Sequence, residues 1–181
     1  MALIFDDHIF YHIPKTGGNY VRKVIGEVCH CPFEIGHNHN TPLEIEGYHK
    51  HKSFTTVRHP LGWYESYYRY RMTKGWRQNH FIDQHCTSGN FEDFVNGMLK
   101  AYPCGYVTAR YLSVIPFVDH VLRMENLNNE LNLLLTKWGY SLPTDVSPTN
   151  VTSKKINTSI SSDAMSRLLR AESRIIKHLN Y

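Results

Sequence analysis

The chain has 181 residues, 41% of them apolar and 20% charged, with a formal net charge of +4. That size suits one domain, residues 1–181, with a full core, and the composition excludes a disordered chain. No run approaches the roughly 20 apolar residues of a membrane span, and the mild positive charge favours an anionic ligand without the dense basic stripe of a nucleic-acid binder.

Asp6 and Asp7 stand where a secretion signal would carry basic residues, so a soluble, cytoplasmic protein is expected. The first strand is expected around residues 8 to 13, followed by a helix in which Tyr20, Val21, Val24, Ile25 and Val28 share one face. Four cysteines, Cys29, Cys31, Cys86 and Cys104, are expected as free thiols, because a core of this size needs no disulfide staples. A short strand near "FEIGH" comes next. "TPLEIE" then reads as a helix start, with Thr41 as N-cap, Pro42 at the first position and Glu44 closing a capping box.

"KSFTTV", residues 52 to 57, has the β-branched content of a buried strand. Arg58 stands at its carboxyl end and Pro60 opens the helix "PLGWYESYYRYRM". "NFEDFVNGMLKAY" begins with Asn90 as an N-cap. "VDHVLRM" reads as a strand, and "ENLNNELNLLLTKWG" as a helix that Gly139 terminates. After the polar loop "SLPTDVSPTNVTSKKINTS", one amphipathic helix presents Leu168, Leu169, Ile175, Ile176 and Leu179. Strands alternating with helices argue for an α/β fold with a mainly parallel β-sheet flanked by helices. In such sheets ligands sit at the carboxyl ends of the strands, where Lys15 and Arg58 both fall.

Two stretches carry the chemistry. In "HIPKTGG" the adjacent glycines allow a tight turn whose N–H groups face an anion, and the following helix adds its positive end. Lys15 brings a full charge and Thr16 a hydroxyl; the plain alternative is a Pro-Gly turn with a solvated lysine. In "VRHPLGWYESYY", Arg58 can grip a phosphate bidentately and Ser66 follows on the next helix; alone, these read as a surface arginine and a helix serine. The nucleoside-triphosphate order G-x-x-x-x-G-K-[ST] is absent, because the lysine precedes the glycines.

Together the two stretches resemble the signature segments of the sulfotransferases that use 3'-phosphoadenosine 5'-phosphosulfate (PAPS), closest to the carbohydrate-type branch. The "VDHVLRMENLNNEL" segment and the closing helix also look like that family's. The resemblance implies a P-loop nucleoside-kinase-like sulfotransferase core. Lys15, Thr16, Gly17, Gly18 and Asn19 would form the loop around the 5'-phosphosulfate, and Arg58 and Ser66 the clamp on the 3'-phosphate. It further implies PAPS as sulfuryl donor with no metal, release of adenosine 3',5'-bisphosphate (PAP), and an acceptor hydroxyl on a sugar, glycan or small molecule. Asn19 departs from the small hydroxyl residue usual in the family, and Trp63 stands where many relatives carry arginine; packing is its favoured role.

Deprotonating that hydroxyl calls for a base, and histidine is the commonest near neutral pH. "EIGHNHNT" places His37 first and His39 second, with Glu34 as fallback. "CHCPFEIGHNH" also gathers metal-binding residue types, but its C-x-C spacing is not that of a zinc finger. Arg110 and Arg123 are candidates to hold the nucleotide or an anionic acceptor, the plain alternative being surface or ion-paired residues, and Asn150, Ser153, Lys154 and Lys155 are candidates in a loop placed to cover the nucleotide. "RYRMTKGWRQNH", residues 69 to 80, is either an acceptor groove or a solvated helix end. A chain this short leaves room for a homo-oligomer that completes the site, with no nucleic-acid or membrane partner. Two rival readings are a small P-loop kinase and a non-catalytic PAP- or nucleotide-binding protein.

Overall fold

The computed structural model describes residues 2–29, 32–36, 40–141 and 156–181. In chain order the strands and α-helices are β1 (Ala2–Phe5), β2 (His8–Tyr11), α1 (Gly18–Val28), β3 (Phe33–Ile35), β4 (Lys52–Val57), α2 (Pro60–Lys74), α3 (Asp83–Cys86), α4 (Phe91–Ala101), α5 (Tyr106–Leu112), β5 (His120–Arg123), α6 (Leu127–Lys137), α7 (Ser162–Ala171) and α8 (Ser173–His178). The residues group into two compact units. One comprises Met1–Arg58 with Tyr111–Val151, the other His59–Arg110 with Thr152–Tyr181.

The first unit contains a single mixed sheet in the order β3-β1-β2-β4-β5. β2, β4 and β5 are mutually parallel, and β1 runs against both β2 and β3. Four of the five described strands therefore point the same way, which makes the protein α/β with a mostly parallel sheet. β1 escapes a motif-led reading of the N-terminus. "ALIF" is buried at all four positions and pairs with β2 across Asp6 and Asp7. Asp6 supplies the positive φ, 47°, that so tight a turn needs.

α1 buries Tyr20, Val21, Val24 and Ile25, the face its periodicity marks. They join Leu3, Phe5, Phe10, Phe54, Leu122 and Leu127, Leu131, Leu134 and Leu135 of α6 in one hydrophobic cluster. α6 ends as Gly139 requires. Its φ is 88°, its N–H donates to Thr136 O at 3.0 Å, and the Tyr140 N–H reaches Leu135 O at 3.0 Å, a Schellman closure. The "TPLEIE" capping pair forms, with the Thr41 hydroxyl 2.8 Å from Glu44, yet it opens only the 3-10 turn Pro42–Glu44.

The second unit is helical and aromatic. α2 buries Trp63, Tyr64, Tyr67, Tyr68 and Arg71, spaced three and four apart on one face. Trp63 is 1% exposed and stacks on Tyr67 at 5.1 Å, so it serves as core. Asn90 caps α4 by accepting the Asp93 N–H at 2.8 Å. The single closing helix expected from periodicity is two, α7 and α8, divided at buried Glu172. The stretch 69–80 is not simply a solvated end: Arg71 is 4% exposed and ion-paired to Asp83.

Candidate functional site

The carboxyl edge of the sheet in the first unit brings the two expected anion-binding segments side by side. β2 and β4 are direct parallel neighbours, so the "PKTGG" turn and Arg58 leave the sheet from adjacent strands. Two side-chain bonds tie those strand ends. The Thr55 hydroxyl donates to Tyr11 O at 2.7 Å. Thr16 and Thr56 share a hydroxyl–hydroxyl bond of 2.7 Å. Since the one Thr16 proton goes to Ile13 O at 2.7 Å, Thr56 is the donor in that pair. Thr16 is fully buried, so its hydroxyl holds the two segments together rather than facing solvent.

The turn itself has a distinctive backbone. Lys15 lies at φ 67° and Gly17 at φ 89°, with residues of negative φ between and after them. Such alternation is how a chain aims successive N–H groups into a concavity. Gly17 is the N-cap of α1, whose amino end adds partial positive charge. Both glycines are also demanded by packing. A Cβ at Gly17 would meet Met124 Sδ at 2.5 Å and Leu127 Cδ2 at 2.6 Å. One at Gly18 would meet the His12 ring at 2.0 Å. The segment after β5 thus closes directly against the turn.

Just past the end of β4 the backbone of Arg58 is gripped on both its N–H and its C=O by one residue. The Tyr111 hydroxyl accepts the Arg58 N–H at 2.8 Å and donates to Arg58 O at 2.9 Å. Tyr111 is fully buried, so this anchor does not drift with solvent. Arg123, the last residue of β5 and the register partner of Val57, puts a third basic residue at the same edge of the sheet, and its own N–H donates to Glu130 at 2.6 Å. Lys15 and Arg58 are half-buried and Asn19 is exposed. Behind the turn, the Tyr20 hydroxyl donates to Asn128 at 2.6 Å, and burial together with Glu27 raises its pKa.

The remaining expected residues lie elsewhere. Ser66 is half-buried on α2, in the second unit. Glu34 is on β3, two strands away from β2, ion-paired to Arg22 of α1; desolvation lowers the Arg22 pKa. His37 and His39, and the loop residues Asn150, Ser153, Lys154 and Lys155, fall outside the described residues. Nothing in the sequence marks Thr56 or Tyr111 as part of this edge. A threonine in a buried strand and a tyrosine in a helix give no local sign of a partner 40 or 53 residues away.

Among the described residues no group of three or more His, Cys, Asp or Glu could hold a metal ion. No described helix is long and apolar enough to cross a membrane. No protein-family model, curated protein or solved structure matches the chain.

Proposed function

We propose that this chain is a PAPS-dependent sulfotransferase, moving a sulfuryl group to an acceptor hydroxyl on a sugar or small molecule and releasing PAP. The observation that carries the reading is the Thr16–Thr56 hydrogen bond, which couples a lysine-bearing glycine turn to an arginine-bearing strand end on adjacent parallel strands. PAPS has anionic groups at both ends of its ribose, and two linked cationic loops suit it better than one. The β2–turn–α1 segment with β4 beside it is also what a P-loop-like core requires.

In this reading the turn's N–H groups and the α1 amino end hold the 5'-phosphosulfate, while Arg58 takes the 3'-phosphate. Lys15 stabilises charge on the bridging oxygen as PAP leaves, the electrostatic task that dominates in-line group transfer. The resemblance assigns Ser66 to the same phosphate, and Ser66→Ala tests that assignment separately.

The test is calorimetry with PAP on the full chain, without magnesium. Arg58→Ala should weaken PAP binding by roughly 2–5 kcal/mol, the cost of truncating one member of a buried charge pair. Lys15→Ala should lower PAPS turnover by roughly 100- to 1000-fold, more than it lowers PAP affinity. Unchanged PAP affinity in Arg58→Ala would remove the clamp. Binding of ATP that requires magnesium and excludes PAP would replace the reading with a kinase.

A further inference from the structure

Arg58 stands just beyond the rungs of its own strand. The pairing of β4 runs as far as Thr55 on the β2 side and as far as Val57 on the β5 side, so Arg58 has no register partner in either neighbour. Its backbone needs another anchor if its side chain is to be presented in one place. Tyr111, near the end of α5 and in the same compact unit, supplies that anchor. The phenol oxygen accepts the Arg58 N–H at 2.8 Å, and the phenol proton goes to Arg58 O at 2.9 Å. A hydroxyl has one proton, so its donation and this acceptance are both directed at a single residue.

The consequence lies in the side chain. Arg58 is half-buried, and a guanidinium grips an oxyanion in two places only when its planar fork arrives correctly oriented. A long side chain on a loose backbone has to be ordered at the moment of binding, which subtracts from affinity. Close by on β4, Thr56 is tied to Thr16 of the glycine turn at 2.7 Å. One bond therefore couples the end of β4 to the turn, and the Tyr111 pair fixes the residue that bears the guanidinium. The Tyr111 ring is fully buried. Phenylalanine would keep that ring and remove the hydroxyl alone.

We propose that Tyr111 is a positioning residue that sets the preference of this site for a nucleotide carrying a 3'-phosphate. It acts through the backbone of Arg58 rather than by touching the ligand. The proposal rests on the sulfotransferase reading and deepens it, because discrimination between PAP and adenosine 5'-monophosphate, which lacks the 3'-phosphate, then depends on a buried phenol. Without the hydroxyl the guanidinium loses its fixed origin, while the turn, held through Thr16, keeps its grip on the 5' group. A tyrosine that merely supported the fold would affect both nucleotides equally.

The experiment is calorimetry with PAP and with adenosine 5'-monophosphate on the unmodified full chain, Tyr111→Phe, Arg58→Ala and the double variant. The unmodified chain should prefer PAP. Tyr111→Phe should lower PAP affinity roughly tenfold, the scale of one hydrogen bond's net contribution, and leave affinity for the monophosphate unchanged. The double variant should lose no more than Arg58→Ala alone, since the hydroxyl acts through that side chain. An equal fall for both nucleotides, or losses that add in the double variant, overturns the positioning role. Amide exchange followed by NMR on the unmodified chain without ligand gives a reading that needs no variant. The Arg58 amide should exchange slowly, and free exchange overturns the anchor even if Tyr111→Phe does not fold. Unaltered preference for PAP in Tyr111→Phe overturns the role of Tyr111 and leaves the function reading standing. Failure of the unmodified chain to bind PAP overturns that reading, and this proposal with it.

Discussion

At the scale of single residues, the turn that carries Lys15 is held in a conformation side chains avoid. A left-handed φ costs a residue with a Cβ roughly 1–2 kcal/mol, and Lys15 adopts 67°. The two hydrogen bonds of Thr16 next to it hold the turn against relaxation. Strain of this kind gathers where a side chain must be presented in one direction. His8 shows a different cost. It is buried between Phe5 and Trp138, and burial followed by Lys52 lowers its pKa, opposed by Asp6 and Asp7, with His51 adding to the lowering. The unfolded chain takes up this proton near the ordinary value of 6.5, whereas the folded chain resists it. Stability should therefore be complete above pH 6.5 and decline as pH falls below it toward the folded pKa. Urea melts between pH 5 and 8 check this, and His8→Phe, which keeps a stacked ring and cannot titrate, should flatten the decline. An equal slope in the variant would assign the effect to other groups, His80 first.

At the scale of elements, Glu172 explains why a helix expected to run on is broken. Its carboxylate is fully buried and accepts four hydrogen bonds. The Tyr64 hydroxyl and the Val107 N–H reach Oε1 at 2.9 and 3.1 Å. The Thr108 N–H and hydroxyl reach Oε2, each at 2.7 Å. The first turn of α5 is thus capped by a residue more than 60 positions away, and Gly105 is required beneath it, since a Cβ there would lie 2.5 Å from Oε2. Burial and the neighbouring carboxylate push the Tyr64 pKa far up, so it remains a donor. Glu172→Ala leaves those donors buried and unmatched and should cost about 2–4 kcal/mol in denaturant melts. Glu172→Gln keeps one accepting oxygen and should recover part of the loss. A change within 0.5 kcal/mol, the range of ordinary surface substitutions, would show that the cap contributes little.

At the scale of the whole molecule, a ligand that binds only the folded chain stabilises it by mass action. PAP at a hundredfold excess over its Kd should add about 2.7 kcal/mol, seen as a rise in Tm by differential scanning calorimetry. EDTA should leave that rise intact, and Arg58→Ala should abolish most of it at the same PAP concentration. A rise that appears with ATP and magnesium but not with PAP would contradict the proposed donor.

The sequence by itself determined the elements whose signals are local. β4 spans the "KSFTTV" stretch, Asn90 caps α4, and Gly139 closes α6, because caps, turns and periodicity act over a few neighbouring residues. It also placed the Lys15 turn and Arg58 at strand ends. Only the tertiary structure decided what binds those pieces together. Thr16 meets Thr56 across 40 residues, Tyr111 grips Arg58 across 53, and Glu172 reaches Thr108 across 64. A hydroxyl or carboxylate in a sequence carries no mark of its partner, since burial and chain path select the partner only once the core has closed.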